Sequence, residues 1–333
     1  MPYIQQIIII DVQSVIYHNI LPSLKNFYDF YKKKSNTAVK PKNKKRIIVS
    51  ATSDLVSDNR VHKVCMTLYK MGFDILLIGR LLTEAPGLVP RIYKTKRLKL
   101  LFNKGFMFYA CFNIRLFFYL LFSKFDLLLS NDLDSLTANF IISKIKNKPL
   151  VYDSHEYFTE SPQLIKRGTV RIIWEWLEQL ILPRIKYAYT VCNSIAKIYN
   201  DKYGTDFKVV RNISSHVYKT PETDTNNTGM PKIILYQGAL NEGRGLHQAI
   251  LAMKYVEGAK LVIAGDGSIK NELEKLITGA NMQHKAELKG RLSIEELAKL
   301  TPKAYVGLSI EEDMGLNYHF TLPNKLFDYI QAG

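Results

Sequence analysis

Residues 236–245 read Tyr236-Gln-Gly-Ala-Leu-Asn-Glu-Gly-Arg-Gly245, with an arginine set between two glycines. A β-type run, Lys232 to Tyr236, precedes the stretch and stops at Gly238; an apolar-periodic segment, Leu246 to Met253, follows it. A strand feeding a helix through a glycine turn leaves backbone N–H groups at the positive end of the helix dipole, where an anion can sit. Arg244 adds a permanent cation whose fork suits phosphate. Gly238, Gly243 and Gly245 also fit an ordinary strand-to-helix turn in which glycine supplies geometry alone.

Two further polar clusters follow apolar runs. Asn131-Asp-Leu-Asp134 comes after Phe125 to Ser130, and Asp153-Ser-His-Glu156 after Pro149 to Tyr152. Polar residues at the carboxyl ends of parallel strands are where open α/β sheets place ligands. Asp132 and Asp134 are able to mimic an acidic metal pair, but a helix-capping role for one of them is the better-founded reading. His155 and Glu156 stand at a strand end rather than on an apolar helix face, which favours function over packing.

The elements that position these residues alternate. Arg46–Ala51 reads as a strand, Asp58 opens a helix with Val61, Val64 and Leu68 at helical spacing, and Asp74–Ile78 reads as the next strand. This βαβ opening implies a parallel sheet with right-handed crossovers. Its first turn, Ser50 to Asp58, is not glycine-rich, which argues against a nicotinamide enzyme. Lys208–Val210 closes the first sheet, 216–231 has linker composition, and alternation restarts at 232 with Gly265 and Gly267 in a later turn. The expected architecture is α/β, with two doubly wound Rossmann-like domains facing a cleft. The divisions are an N-terminal extension (1–45), a first domain (46–215), the linker (216–231) and a second domain (232–333). The second domain is expected to be incomplete, because the sequence ends at Gly333 directly after a helix.

The net charge of +16 is unevenly spread: residues 1–215 hold 33 Lys and Arg against 16 Asp and Glu, or +17, and residues 216–333 hold 13 against 14, or −1. Such asymmetry points to a polyanionic partner for the first half, unless it is only a basic solvated surface. Arg91, Lys94, Lys96, Arg97 and Lys99 precede a long apolar run containing Phe106 and Phe108. Asn113 and Arg115 interrupt that run, which argues against a membrane span. The reading favoured over a plain core helix is a basic, aromatic helix lying among lipid headgroups. No secretory signal is apparent, and Cys65, Cys111 and Cys192 fit a reducing cytoplasm.

Taken in order, these motifs resemble the GT-B glycosyltransferases of family 4, the group 1 sugar-nucleotide transferases of bacterial surface polysaccharide synthesis. The resemblance spans about residues 46–333. It rests on Asp58-Asn-Arg-Val61, Asn131-Asp-Leu-Asp134, Tyr152-Asp-Ser-His-Glu156, the 236–246 stretch, Ala264-Gly-Asp-Gly267, and Ser309-Ile-Glu-Glu-Asp-Met-Gly-Leu316 followed by Pro323-Asn-Lys-Leu-Phe-Asp-Tyr-Ile-Gln-Ala-Gly333.

The resemblance implies a donor nucleotide-sugar in the second domain, with Arg244 and the turn glycines on the diphosphate. Gly265 and Gly267 belong to the same donor-binding set. Glu312 matches the first acid of the family's glutamate pair, which contacts the donor sugar. Asp328 stands where the second glutamate holds ribose hydroxyls, Lys325 is in the Lys-x-x-acid position, and His155 matches the histidine facing the transferred sugar. Three departures are visible: Ala239 replaces a basic residue, Glu312 and Asp328 lie farther apart than the family's eight-residue step, and Asp328 is shorter than glutamate.

The implied activity is retaining glycosyl transfer without cofactor or metal, onto a lipid-linked or saccharide acceptor. It would take place at the inner face of the cytoplasmic membrane, with anionic lipid as partner and no nucleic acid. A nonhydrolysing sugar-nucleotide epimerase of the same fold, or a catalytically silent membrane- or nucleic-acid-binding module, is the alternative.

Overall fold

The computed structural model describes residues 44–333 apart from 57, 83–86, 162, 163, 165, 166, 214–230 and 321. The helix expected over Leu24–Tyr31 and nearly all of the expected linker lie outside the described residues. The chain divides into two compact units, Met1–Asn212 and Ile213–Gly333.

In the first unit, seven strands form one parallel sheet: β1 (Arg46–Ser50), β2 (Asp74–Leu81), β3 (Lys94–Lys99), β4 (Leu127–Asn131), β5 (Leu150–Ser154), β6 (Tyr187–Thr190) and β7 (Phe207–Val209), in the order β3-β2-β1-β4-β5-β6-β7. β4 and β5 are buried along their whole length, which explains why they read as unbroken apolar runs rather than alternating ones. α1 (Asn59–Lys70) starts at Asp58, whose carboxylate accepts the Val61 N–H, and buries Val61, Cys65 and Leu68. The remaining helices are α2 (Gly105–Leu121), α3 (Leu133–Lys146), α4 (Gly168–Ile181) and α5 (Asn193–Tyr203).

α2 settles part of the reading of residues 91–124. It buries Phe108, Phe112, Leu116 and Leu120, a four-residue repeat down one face. Each such side chain removed from water contributes about 1.5–3 kcal/mol. It is therefore a core helix as well as a surface one, since Phe106, Ile114 and Phe118 are exposed. No helix among the described residues is long and apolar enough to cross a membrane. β3, hidden in the sequence by its lysines, is the edge strand beside β2, where exposed charges discourage pairing with another chain.

The second unit repeats the pattern. β8 (Lys232–Gln237), β9 (Ala259–Ala264), β10 (Ala286–Gly290) and β11 (Val306–Gly307) form a parallel sheet in the order β10-β9-β8-β11. α6 (Leu246–Ala252), α7 (Lys270–Gly279), α8 (Ile294–Leu300), α9 (Leu316–His319) and α10 (Asn324–Ala332) complete it. Both sheets reverse their strand order once, beside β1 and beside β8. The polar clusters singled out in the sequence follow β1, β4 and β5 in one unit and β8 and β11 in the other, the crevice positions that such sheets use for ligands.

Candidate functional site

In the second unit the turn after β8 and the loop after β11 are stitched together. The Glu312 N–H donates to the Gly243 carbonyl at 2.8 Å, and the Tyr318 hydroxyl donates to the Glu242 carbonyl at 3.1 Å. Gly245 has φ +66°, and a Cβ there would lie 2.3 Å from the Ile310 carbonyl oxygen, so only glycine fits. Gly243 is similarly crowded by Met314 and Tyr318.

Arg244 and Lys325 converge across this seam. Lys325 Nζ lies 2.6 Å and Arg244 Nη1 3.2 Å from the same oxygen, Glu311 Oε1. The Arg244 guanidinium stacks over the Tyr318 ring at 4.8 Å, and the Lys325 ammonium sits over the Tyr236 ring at 4.2 Å. Lys325 is buried, and Arg244 keeps about a fifth of its side chain exposed (21%). Arg244 Nε is buried with no hydrogen-bond partner. The sequence expectation sets Arg244 as a cation at the amide end of a helix, and the structure adds two facts. A carboxylate already holds it, and α6 is only 7 residues long, so the positive charge here comes from side chains rather than from a helix end.

The other expected donor residues are placed unequally. Gly238 and Gly265 do not offer their amides to an anion: the Gly238 N–H bonds the Ala264 carbonyl at 3.0 Å and the Gly265 N–H the Gly290 carbonyl at 2.8 Å. A Cβ on Gly265 would lie 1.8 Å from the Gly238 carbonyl oxygen, and one on Gly267 2.3 Å from that of Leu240, so these glycines allow two turns to touch. Asp328 Oδ2 accepts from the Gln237 amide at 2.9 Å, and Gln237 in turn accepts from Thr301 at 2.8 Å. Tyr329 locks α10 in place, accepting the Gln237 N–H at 3.2 Å. Glu312, expected to meet the sugar, contributes its backbone to the seam, and its side chain forms no ion pair among the described residues. Its neighbour Glu311, which the sequence reading passed over, takes both cations. The Glu-Glu doublet was the available signal, but it does not say which member points inward. A cavity of about 440 Å³ beside them is lined by Ile234, Ala249, Met253, Leu261 and Leu308, with Glu311 and Glu312 in its wall.

In the first unit the cluster at the ends of β4 and β5 is tighter than the sequence implied. The His155 side chain is 4% exposed, with Nδ1 3.2 Å from Asp132 Oδ2 and Nε2 3.0 Å from Asp153 Oδ2. Asp132 Oδ1 accepts the His155 backbone N–H at 3.0 Å, and Arg60 Nη2 reaches Asp132 Oδ2 at 3.2 Å. The Tyr189 hydroxyl donates to Asp153 at 2.7 Å. Burial and the Arg60 charge work against protonating His155, but Asp153 and Asp132 outweigh them and raise its pKa to about 9. Burial pushes the Asp132 carboxyl up, while His155 and Arg60 hold it well below the usual carboxylate range. Asp134, buried next to the Asp132 charge, is raised to about 7.

Two expectations change here. Neither aspartate caps α3 with its side chain: Asp132 serves His155 and Arg60, and Asp134 Oδ2 accepts from the Thr52 hydroxyl at 2.6 Å. Asp132 also holds φ +58° and ψ 166°, a backbone state that costs about 1–3 kcal/mol in a non-glycine residue and is fixed here by its ring of partners. His155, expected to meet the sugar, has both ring nitrogens engaged by carboxylates. Arg60 came from a quoted motif to which no role had been given.

Of the residues expected to meet lipid or acceptor, Phe108 and Arg91 turn inward. Phe108 is 5% exposed with the Arg80 guanidinium over its ring at 4.5 Å, and Arg91 donates to the Tyr93 hydroxyl at 2.8 Å and to the Leu55 carbonyl. Lys94, Lys96, Lys99 and Phe106 are exposed, and Arg97 is half-buried.

The profile of the family described as glycosyl transferases group 1 matches residues 220–318. Among solved structures, a sucrose-phosphate synthase from Thermosynechococcus elongatus matches with a TM-score of 0.65 and 14% identity over 82% of this chain and 77% of that one. WaaG, a glycosyltransferase involved in lipopolysaccharide biosynthesis, matches with a TM-score of 0.61 and 12% identity over 86% and 79%. HepE from Anabaena, in complex with UDP-glucose, matches with a TM-score of 0.57 and 15% identity over 79% and 72%. No curated protein matches. Residues 220–318 thus match the group 1 glycosyltransferase family, and the chain has the GT-B fold of these solved structures.

Proposed function

We propose that the protein transfers a sugar from a nucleoside-diphosphate-sugar to a lipid-linked acceptor in cell-surface polysaccharide synthesis, with retention and without a metal. The observation that carries the donor half is the convergence of Arg244 and Lys325 on Glu311 at the switch point of the second sheet, with Arg244 and Glu311 inside the matched residues 220–318 and Lys325 just beyond them. Breaking the bond between sugar and diphosphate builds negative charge on the β-phosphate as the sugar becomes oxocarbenium-like. Two fixed cations on that phosphate stabilise the transition state more than the ground state. Diphosphate leaves well, so no dedicated acid is required. A relative solved with UDP-glucose supports a nucleotide-sugar donor. Asp328 is proposed on the ribose and Glu312 on the sugar. His155, with both ring nitrogens engaged, is proposed to position Asp132 and Asp153 rather than to contact the sugar through its ring.

The acceptor half rests on the +17 balance of residues 1–215 and on the apolar side chains that α2 leaves outside. Exposed lysines on β3 supply attraction to anionic lipid, and Phe106, Phe118 and Phe122 supply apolar area at the headgroup boundary. On this reading the protein works peripherally, on the inner face of the cytoplasmic membrane.

The test is turnover of UDP- and GDP-sugars by the full chain, with and without extracted membrane lipids. Lipid-dependent release of nucleoside diphosphate supports transfer. Conversion of the donor to another sugar-nucleotide without any acceptor identifies an epimerase instead. No turnover with steep salt-dependent DNA binding identifies a silent basic module.

A further inference from the structure

Glu311 is the only carboxylate among the described residues that touches both Arg244 and Lys325. Its Oε2 accepts from the Ser309 hydroxyl at 2.9 Å, so both oxygens are used and the side chain is held in one place. Burial works to raise its pKa, but the Lys325 ammonium outweighs that and keeps the group ionised. Lys325 is pushed down by burial and by the Arg244 charge, and Glu311 opposes both. The result is a half-neutralised pair of cations: two positive groups, one acid, and an Arg244 Nε–H with no acceptor.

Such a triad has the charge arrangement of an occupied anion site. One carboxylate oxygen stands where the two cations converge, as a phosphate oxygen would, and it supplies one negative charge where a diphosphate would supply two or more. We propose that Glu311 is a resident counter-anion for the donor site: its carboxylate holds Arg244 and Lys325 together in the empty enzyme, and a diphosphate displaces it from them on binding. This rests on reading those two cations as diphosphate ligands. Displacement sets the affinity, because every diphosphate must compete with an acid that is already in place and is held by charge-assisted bonds. It also favours polyanions over singly charged ligands, which cannot replace the lost ion pairs.

The experiment measures binding of UDP and of inorganic pyrophosphate to the wild-type chain, Glu311→Gln, Glu311→Asp, and the Arg244→Ala/Glu311→Gln double variant. Glutamine keeps the shape and removes the charge. The expected result is binding of pyrophosphate and UDP on the order of tenfold tighter by Glu311→Gln near pH 7, a smaller gain for Glu311→Asp, and no gain in the double variant.

A pH series gives a readout that a merely structural role would not move. Glu311, in the loop after β11, is faced by Lys325 from α10 and by Arg244 from the turn after β8; the Tyr236 ring of β8 faces Lys325, and Tyr318 of α9 faces Arg244. Without Glu311, nothing offsets burial and the Arg244 charge at Lys325. Pyrophosphate binding by the glutamine variant is therefore expected to weaken more steeply than that of the wild type as the pH rises from about 7 to about 9.

An affinity that is unchanged or weaker, or a pH slope no steeper than that of the wild type, overturns the proposal. If Glu311→Gln does not fold, Glu311→Asp decides by the same affinity criterion. Tighter pyrophosphate binding by the variant with no turnover of any nucleotide-sugar leaves the counter-anion standing and removes the transferase reading. Turnover in the wild type with weakened UDP binding in the variant does the reverse.

Discussion

Asp132 grips His155 twice, accepting its backbone N–H at 3.0 Å through one carboxylate oxygen and facing its Nδ1 at 3.2 Å through the other. With Asp153 on Nε2, the imidazole is clamped at the shared end of β4 and β5, and Arg60 pairs with Asp132. The pair makes a buried charged network of the first unit, and its energetics depend on pH.

Folded His155 holds its proton more tightly than the unfolded chain does, so its pairing stabilises the protein fully below about pH 6.5 and is lost as the pH rises through about 9. Asp134 is favoured in its neutral form, and ionising it costs stability as the pH climbs through about 7. Asp132 acts in the opposite sense, and its contribution is lost only in strong acid. Urea unfolding is therefore expected to show stability falling from pH 7 towards pH 10. His155→Gln strands Asp132 and Asp153 and is expected to cost about 3–5 kcal/mol at neutral pH, with a flatter decline above it. Stability that rises between pH 7 and pH 9 contradicts this.

Gly265 and Gly279 are expected to behave oppositely when changed to alanine. At Gly265 the new Cβ meets the Gly238 carbonyl oxygen at 1.8 Å, a backbone atom that no rotamer change moves aside. The loss is expected to be about 2–3 kcal/mol. Gly279 ends α7 with nothing near its Cβ position, so the gain there is about 0.5–1 kcal/mol. Denaturant titration of the two variants checks the pair.

Phe118 on α2 and Phe122 directly after it are 54% and 84% exposed, whereas Phe112 is fully buried. Phe118→Ser/Phe122→Ser is expected to lower cosedimentation with anionic vesicles several-fold while leaving thermal stability nearly unchanged. Phe112→Ala is expected to lose about 3–5 kcal/mol of stability instead. Equal vesicle binding by wild type and the double variant removes the lipid-facing role of α2.

Much of the fold was legible because parallel strands and their helices announce themselves by apolar period and by polar punctuation, as at Asp58, which opens α1. β3 was not, since its lysines mask the alternation of an edge strand. Nor was the inward turn of Phe108, because α2 is apolar on nearly every face and period alone cannot choose the buried one. At the candidate sites, residue types were readable but partners were not. Arg244 and Lys325 lie far apart in sequence and meet only through Glu311, and Asp132 looks like a helix cap until the tertiary fold offers it His155 and Arg60. Local pattern carries propensity; which long-range ion pair forms is decided by packing.

A diphosphate held by Arg244 and Lys325 underlies the proposed chemistry, so the most direct measurement is steady-state donor turnover by wild type and Arg244→Ala on a screen of UDP- and GDP-sugars. Arg244→Ala is expected to keep its fold by circular dichroism and to lose a factor on the order of 10² or more in kcat/KM. Equal turnover by the two proteins would contradict the role given to Arg244, and with it the proposed transferase site.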